Sequence, residues 1–288
     1  MLRSIGQHFT GRSGADAAVF AALVVATVAM LFPIYMIVLT AIKQPMDITS
    51  GTVSPFITPT AEHFLQLFGV KESEFHFDLW LHFRNTVMAA VGSTALAIIV
   101  GAPAAYAFAR VRFRGSLVSM TFLLVTRLLP PIATVIPLYL IMRQLGLLDT
   151  VFALILAYTT FNLPFFVWMM FSFFADLPKE LEEAASMDGA TRWQTFLLVM
   201  LPLSLPGIFA ASIFSLVLAW NDFLFAVVLT SRNAPTLPLL VSGFVTDMGV
   251  SWGIIMAAGS VIVIPVLVFT LLTQKHLLRG MTRGAVKG

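Results

Sequence analysis

The sequence predicts an all-α polytopic membrane protein with six transmembrane helices. Of its 288 residues, 59% are hydrophobic and only 11% are charged. Soluble domains carry roughly 25% charged residues, so this chain has too few charges to cover a surface exposed to water. Several apolar runs also reach the ~20 residues that a helix needs to cross a bilayer. Inside a bilayer, a helix satisfies its backbone hydrogen bonds within its own segment.

Six apolar segments are each expected to cross the membrane once. The first segment follows Arg3 and Arg12, and it is too long for the ~7–15-residue core of a signal peptide. A long polar loop, residues 43–84, separates the first two segments, whereas most other connections are short. The predicted segments are Ala17–Ile42, Asn85–Ala109, Leu117–Met142, Val151–Phe174, Ser204–Leu229 and Trp252–Gln274.

Glycine and proline interrupt the second and third segments. Gly101 and Pro103 in the second are compatible with a helix that is kinked only for packing. Such residues also persist where neighbouring helices or a water-filled cavity satisfy the freed backbone groups. Three prolines in the third segment, Pro130, Pro131 and Pro137, indicate a helix that bends around a passage.

The basic residues predict the orientation of the chain. Six crossings place both termini on one side, which then holds 11 of the 17 Lys and Arg residues, against 5 on the opposite side and Arg127 within a segment. Because cytoplasmic loops are enriched in Lys and Arg, we expect both termini in the cytoplasm. The chain then divides into a cytoplasmic segment 1–16, a membrane domain 17–275 and a cytoplasmic tail 276–288. The same bias accounts for the net charge of +3 without nucleic-acid binding.

One stretch between the fourth and fifth segments, Leu177–Leu203, is unusually polar, and we call it the knob. Three glutamates, Glu180, Glu182 and Glu183, stand where a helix N-terminus favours acidic side chains. The sequence Asp-Gly at Gly189 is typical of a left-handed helix stop. A charged, well-defined helix on the cytoplasmic side of a membrane domain indicates a docking site for a soluble partner.

A second helix is predicted to follow the glycine turn of the knob. Thr191 and Gln194 have the spacing of a capping box, in which each residue satisfies a backbone N–H of the other. The apolar residues that follow carry this helix toward Pro202. The coupling helices are therefore expected at about residues 177–200, joined by a tight turn.

The knob resembles the EAA motif of ABC-importer permeases. Residues 183–185 read Glu-Ala-Ala, Gly189 follows at the family spacing, and Val199 precedes Leu-Pro at 201–202, where the family most often has Ile. Further matches indicate the carbohydrate-uptake branch and the subunit type of the second maltose-transporter permease. These matches are residues 104–115, Trp220–Phe225 and Gly284–Gly288.

The resemblance implies a type I ABC-importer fold with a cytoplasmic EAA coupling helix. It implies partners as well: a second homologous permease subunit, a cytoplasmic ATPase dimer, and a periplasmic or lipid-anchored substrate-binding protein. ATP-driven import of a sugar, polyol or oligosaccharide across the bacterial inner membrane follows from it. Residues implied to dock the ATPase are Glu182, Glu183, Ala184, Ala185, Asp188 and Gly189, with Gly284, Val286 and Lys287 as a C-terminal contact.

The chain itself is not expected to be an enzyme. It contains no GxxxxGK[ST] pattern for binding nucleotide phosphates, so ATP and Mg are expected on the partner ATPase subunits rather than on this chain. It has no cysteine and five histidines, none of which has the spacing of an HExxH metal site. An intramembrane enzyme is therefore a poor fit, and we expect neither a cofactor nor a metal on this chain.

Polar residues inside the predicted membrane segments are candidates for a translocation path, because such residues are costly in lipid. They are Arg127, Asn162, Trp220, Asn221 and Asp222. Two alternatives remain open from the sequence. Arg127 and Asp222 could form an ion pair that only holds helices together. Trp220 could pack against neighbouring helices rather than stack on a sugar ring. A secondary transporter without an ATPase is the alternative function, although Asp222 is the single intramembrane acid available for ion coupling.

Overall fold

A computed structural model of the protein describes residues 14–49, 57–73, 75–111, 113–246 and 249–285. Side chains are described between residues 16 and 271. The described residues form α-helices, one π-helical segment and one short antiparallel hairpin. Up to the knob, the helices are α1 (Gly14–Ala41), α2 (Pro45–Thr49), α3 (Glu62–Leu67), α4 (Leu79–Arg110), α5 (Ser116–Thr126), α6 (Pro131–Gln144) and α7 (Val151–Asp176).

From the knob onward the elements are shorter until the last helix. They are α8 (Glu180–Met187), α9 (Arg192–Thr195), the π-helical segment Phe196–Met200, α10 (Leu201–Leu203), α11 (Leu205–Trp220), α12 (Leu224–Leu229) and α13 (Leu237–Ser242). The strands β1 (Val245–Thr246) and β2 (Gly249–Val250) pair antiparallel, with Val245 opposite Val250. The chain then forms α14 (Trp252–Ala285).

Four helices are long and apolar enough to cross a membrane, and up to six crossings result if each of two bent helix pairs is one span. The four are α1, α4, α7 and the first part of α14, which agree with the first, second, fourth and sixth predicted segments. Helix α4 begins six residues before the predicted Asn85, with the Asp78 side chain accepting a hydrogen bond from the Leu81 N–H at 3.0 Å. The all-α membrane fold predicted from the sequence is confirmed.

The third and fifth predicted segments are not continuous helices, which corrects their expected form. The third consists of α5 and α6, whose axes differ by 96° across a break at residues 127–130. Pro130 and Pro131 account for the break, because proline disfavours helical backbone in the residue before it and lacks an N–H. The prediction of a bend from the prolines of this segment is confirmed.

The fifth predicted segment is interrupted twice. Its helix α11 is bent by 76° from the helical residues 192–203 that precede it. It ends at Trp220, and a break of three residues separates it from α12. The predicted segment Ser204–Leu229 therefore contains one long and one short helix. The last helix is instead longer than the predicted sixth segment, because α14 continues to Ala285, well into the predicted cytoplasmic tail.

The described residues fall into two compact units, each with its own packing. In the unit formed by residues up to 73 and 244–261, the His63 ring is buried against Gly253 and lies 3.1 Å from the Lys43 carbonyl oxygen. The other unit comprises residues 75–243 and those from Ile262 onward. It contains the knob and the polar residues predicted for the translocation path.

Helices α4, α7 and α11 form the core of this second unit. Small residues of α4, such as Ala97 and Ala105, pack against large residues of α7, such as Phe166 and Phe174. Gly101 is one reason for the close approach, because a Cβ at this position would lie 2.6 Å from the Phe166 ring. Small-residue interfaces of this kind let helix backbones approach closely in membranes.

Candidate functional site

The first limb of the knob is helix α8, which ends in a defined turn. The N–H of Ala190 bonds to the Ala185 carbonyl at 3.0 Å, and the N–H of Gly189 bonds to the Ser186 carbonyl at 3.1 Å. These are the two hydrogen bonds of a Schellman stop. Gly189 has φ +81°, the left-handed conformation that glycine adopts without a steric penalty. The predicted glycine turn is present.

The second limb begins with the predicted capping box. The Thr191 hydroxyl accepts a hydrogen bond from the Gln194 N–H at 3.3 Å, and the Gln194 side chain accepts one from the Thr191 N–H at 2.8 Å. At the other end of the knob, helix α8 begins at Glu180, with Lys179 as its N-cap. Both limbs are therefore short helices with fixed ends.

The π-helical segment attaches the knob to the core. Phe196 and Met200 in this segment are buried in the cluster formed by α4, α7 and α11. The Phe196 ring lies 5.1 Å from the Tyr106 ring and 6.2 Å from the Phe174 ring, measured between centroids. A rigid displacement of the second limb must consequently move core side chains of the membrane domain.

One face of the knob is exposed. Glu183, Ala184 and Asp188 lie on it, together with Met187, which is 86% exposed although it is a large apolar residue. Ala185, by contrast, is buried against the protein. The residues predicted to dock a partner thus divide into an outward set and an inward set. The exposed methionine was not singled out from the sequence, where it reads as one apolar position among many.

Glu182 belongs to the inward set. Its Oε1 lies 3.4 Å from the Nε of Arg110, the last residue of α4. The Arg110 guanidinium also donates a hydrogen bond to the Leu177 carbonyl at the end of α7. Beside these groups is a cavity of about 600 Å³, whose lining includes Lys179 and Arg192. Arg110 was not among the candidates drawn from the sequence, where it resembles any basic residue at a cytoplasmic helix end.

The structure places the polar path candidates at the breaks and inside the helices of the second unit. Arg127 lies at the break between α5 and α6. Its Nη1 donates a hydrogen bond to the Phe161 carbonyl at 2.9 Å, and its guanidinium carbon lies 4.1 Å from the centroid of the Phe161 ring. Asn162 on α7 is buried and its side-chain amide reaches the Ser215 carbonyl of α11 at 3.4 Å.

The remaining candidates surround the break between α11 and α12. Trp220 is only 3% exposed, and its indole N–H donates to the Ile262 carbonyl at 3.2 Å, so its ring is packed inside the protein rather than open to a sugar. Asn221 is exposed and bonds to the Val217 carbonyl at 2.8 Å. Asp222 accepts a hydrogen bond from the Phe225 N–H at 3.0 Å, at the start of α12.

Arg127 and Asp222 do not form an ion pair with each other, since neither belongs to an ion pair found among the described residues. The Tyr158 hydroxyl lies beside the Asp222 carboxylate but outside hydrogen-bond geometry.

Of the predicted C-terminal contact, Gly284 lies in α14, whereas Val286 and Lys287 fall outside the described residues. No group of three or more His, Asp or Glu in the described part of the chain is placed to hold a metal ion.

Comparison with known families matches residues 93–283 to a family described as the binding-protein-dependent transport system inner membrane component. The chain belongs to this family. It is 36% identical over 267 residues to the diacetylchitobiose uptake system permease protein DasC of Streptomyces coelicolor, covering 92% of this chain and 95% of that protein. It is 34% identical over 261 residues to the trehalose/maltose transport system permease protein MalG of Thermococcus litoralis, covering 90% and 92%.

Among solved structures, this inner-membrane component is similar to a chain from the crystal structure of a bacterial ABC transporter involved in the import of the acidic polysaccharide alginate. The TM-score is 0.72 at 26% identity, with 92% of this chain and 98% of that chain covered. The family resemblance stated from the EAA motif and the ABC-importer fold are confirmed. The chain is a multi-pass transport component of a binding-protein-dependent system.

One cluster of this transport component was missed by the sequence reasoning. Four consecutive backbone N–H groups, Ser231–Ala234, donate to the Asp149 carboxylate at 2.8–3.2 Å. Partial burial raises the pKa of Asp149, but these hydrogen bonds outweigh it and hold the pKa below its ordinary range. From α4, the buried Asn85 donates to the carbonyls of Asn233 and Pro235, both at 3.1 Å. Only the preference of Asp for left-handed turn positions could have indicated the role of Asp149, which has φ 58°.

Proposed function

We propose that this chain is one of two permease subunits of a carbohydrate importer powered by ATP hydrolysis in separate cytoplasmic subunits. The named substrates of its relatives, diacetylchitobiose and trehalose or maltose, are carbohydrates, and so is the alginate of the similar solved transporter. The substrate class is therefore a sugar, polyol or oligosaccharide. ATP and Mg bind to the partner ATPase subunits, and this chain contributes movement rather than chemistry.

The exposed face of the knob is the observation that carries this proposal. Its turn and its capping box fix the shape of two short helices, while Glu183 and Met187 remain exposed. An apolar side chain beside an acidic one on a fixed surface is suited to a protein partner. Glu183 supplies a charge for a basic group of the ATPase, and Ala184 allows close approach of the partner surface.

The path from the knob to the membrane helices runs through the π-helical segment. Closure of the ATPase pair would push the knob, and Phe196 and Met200 would pass this displacement to α4, α7 and α11. The helix breaks at residues 127–130 and 221–223 are the points at which such helices can change direction. Backbone groups freed at breaks inside a membrane persist where they line a cavity or are buried in protein.

On the opposite side of the membrane, the segment of residues 230–251 would meet the substrate-binding protein. Asp149 and Asn85 hold the first part of this segment in a fixed conformation. Both termini lie in the cytoplasm in this arrangement, as the distribution of basic residues predicts. A second homologous permease subunit completes the passage, because one subunit leaves large apolar helix surfaces uncovered.

The test is reconstitution of the complete complex in proteoliposomes with MgATP. Uptake and ATP hydrolysis are measured for a panel of disaccharides, polyols and oligosaccharides, each with its binding protein. We expect ATP-dependent uptake of at least one carbohydrate. Uptake that persists without ATP would favour the secondary-transporter alternative, and failure with the whole panel would contradict the substrate class.

Two substitutions in the knob test the docking role. Glu183→Lys reverses the exposed charge, and Gly189→Trp adds bulk in open space beside the turn, where a glycine Cβ would meet no atom within 4 Å. Both should abolish transport. Glu183→Lys should leave the thermal stability of the purified permease unchanged, whereas Gly189→Trp should lower it by about 1–2 kcal/mol, because a tryptophan at φ +81° is strained. Glu72→Lys, the same charge change at an exposed acid outside the knob, is the matched control. Normal transport by both knob variants would contradict the assignment.

A further inference from the structure

Helix α8 is held against the membrane domain by few apolar contacts. Ala185 is its only buried residue among its eight. The cavity of about 600 Å³ lies beside it, so much of its inner side has no packed neighbour. A helix seated this way needs another attachment if a force applied to it is to reach the transmembrane helices.

Arg110 provides that attachment. Its side chain is only 5% exposed, and its Nε lies 3.4 Å from the Oε1 of Glu182, a side chain that is 26% exposed. The same guanidinium donates to the Leu177 carbonyl, which directly follows α7. One planar group with several donors thus joins the ends of α4 and α7 to α8, a geometry that suits arginine better than lysine.

Among the described acidic side chains, Glu182 is the one within ion-pair distance of Arg110, and Glu183 lines the same cavity. Tyr106, one turn earlier on α4, also faces Glu182, and its ring packs 5.6 Å from Phe174. Neither Arg110 Nε nor Glu182 Oε1 has a further hydrogen-bond partner in the described residues. Removing the Glu182 charge would therefore leave the buried Arg110 guanidinium without an acidic partner, which is costly in a shielded site.

We propose that Arg110 is a positioning residue that keeps α8 in register with α4 and α7, so that displacement of α8 by the ATPase moves both transmembrane helices. This inference rests on the proposed function and deepens it. Glu183 on the exposed face meets the partner, whereas its neighbour Glu182 connects the same helix to the membrane domain. Loss of the connection lets α8 shift into the adjacent cavity while the partner remains bound.

The first experiment separates coupling from assembly. Arg110→Gln, Glu182→Gln and the charge exchange Arg110→Glu with Glu182→Arg are reconstituted with the ATPase subunits, and carbohydrate transported per ATP is measured with the best substrate of the panel. We expect Arg110→Gln to keep the ATPase subunits bound and to lower transport per ATP about tenfold, equivalent to ~1.4 kcal/mol of lost coupling. Arg110→Lys should recover part of this loss, and the charge exchange should recover more.

Matched controls are available at the same end of the molecule. Arg114→Gln removes an exposed arginine close to Arg110 in sequence, and Glu180→Gln removes an exposed glutamate from the same helix as Glu182. Both should leave transport per ATP within twofold of the unmodified protein. Equal losses in Arg110→Gln and Arg114→Gln would overturn the proposal, as would unchanged coupling in Arg110→Gln.

A second measurement does not depend on knowing the substrate. The chain has no cysteine, so spin labels attach only to cysteines introduced at Ser186 on α8 and Val100 on α4. In the unmodified complex, we expect one narrow distance that persists after trapping with MgATP and vanadate. Glu182→Gln, which alters a partly exposed side chain, should broaden this distance. A narrow distance in that variant would overturn the proposal even if no carbohydrate is transported, and failed transport by the unmodified complex would count only against the proposed function.

Discussion

At the scale of single residues, Asp149 organises the segment that follows α12. Consecutive N–H groups that converge on one oxygen-bearing group form an anion site, and here a carboxylate of the same chain fills it. These charge-assisted hydrogen bonds are stronger than neutral ones. The conformation of residues 231–234 therefore depends on the negative charge of Asp149.

We predict that Asp149→Asn lowers the stability of the complex by about 1–3 kcal/mol, because the amide cannot accept all of the hydrogen bonds that the carboxylate accepts. The pKa of Asp149 is lowered in the folded protein, so its contribution is complete at neutral pH and is lost as the pH falls through the lowered value. The difference in thermal unfolding between the two proteins should be complete above the ordinary carboxyl pKa of about 4 and should shrink only as the pH falls below it toward the lowered value.

Glu72→Gln is the control for this prediction, since Glu72 is an exposed acid on the same predicted side of the membrane. It should unfold like the unmodified protein at every pH. If the difference between Asp149→Asn and the unmodified protein were the same at pH 3 and pH 7, the charge of Asp149 would have no part in holding the segment.

The predicted translocation path also depends on individual polar residues. Asn162 is buried between helices, whereas Asn221 is exposed at a helix break. If both line the path, Asn162→Ala and Asn221→Ala should each lower carbohydrate uptake at least about tenfold, the size of one lost polar contact of ~1.4 kcal/mol. The complex should still assemble and hydrolyse ATP.

Thr160→Val, an exposed position on the same helix as Asn162, is the comparison for the path variants. It should leave uptake unchanged. Uptake and stimulated ATP hydrolysis at unmodified levels in both asparagine variants would remove these residues from the path.

At the scale of elements, the close packing of α4 on α7 fixes the framework to which the knob is attached. The ring of Phe166 lies over Gly101 and is itself completely buried, so it cannot move aside cheaply. Closely packed protein interiors respond to one added methyl group with strain, because they have no free space to accommodate it. Outside this framework, the third segment is broken at residues 127–130 and the fifth at residues 221–223.

We predict that Gly101→Ala destabilises the complex by about 1–3 kcal/mol through overpacking against Phe166. Gly259→Ala is the matched control, because the added Cβ would lie 3.8 Å from Ile37, an ordinary contact distance. Thermal unfolding in detergent measures both variants. Equal stability of the two alanine variants would show that the contact with Phe166 relaxes without cost.

At the scale of the whole molecule, the surface is that of a membrane subunit. Within the apolar 18-residue stretch of α1, only 6% of the residues are buried inside this chain. Lipid or a second subunit must cover such a surface, because exposing this much apolar area to water is energetically unfavourable. Both α5 and α6 expose large apolar side chains as well, among them Leu117, Phe122, Ile132 and Ile136.

The orientation of the chain can be tested with introduced cysteines, since the sequence has none of its own. We predict that Glu72→Cys reacts with a membrane-impermeant maleimide in intact spheroplasts, whereas Arg114→Cys reacts only after the membrane is permeabilised. Both side chains are exposed in the structure. The unmodified chain is the blank, and the reverse pattern of labelling would invert the predicted topology.

The sequence by itself determined the fold class, four of the six membrane segments and the shape of the knob, because hydropathy, capping and turn chemistry act between neighbours in the chain. It also carried the family motif. Only the tertiary structure decided which polar groups meet: Arg110 with Glu182, Asp149 with Ser231–Ala234, and Arg127 with Phe161 rather than with Asp222. Such partners are distant in sequence, and the packing of helices selects them without leaving a local pattern to read.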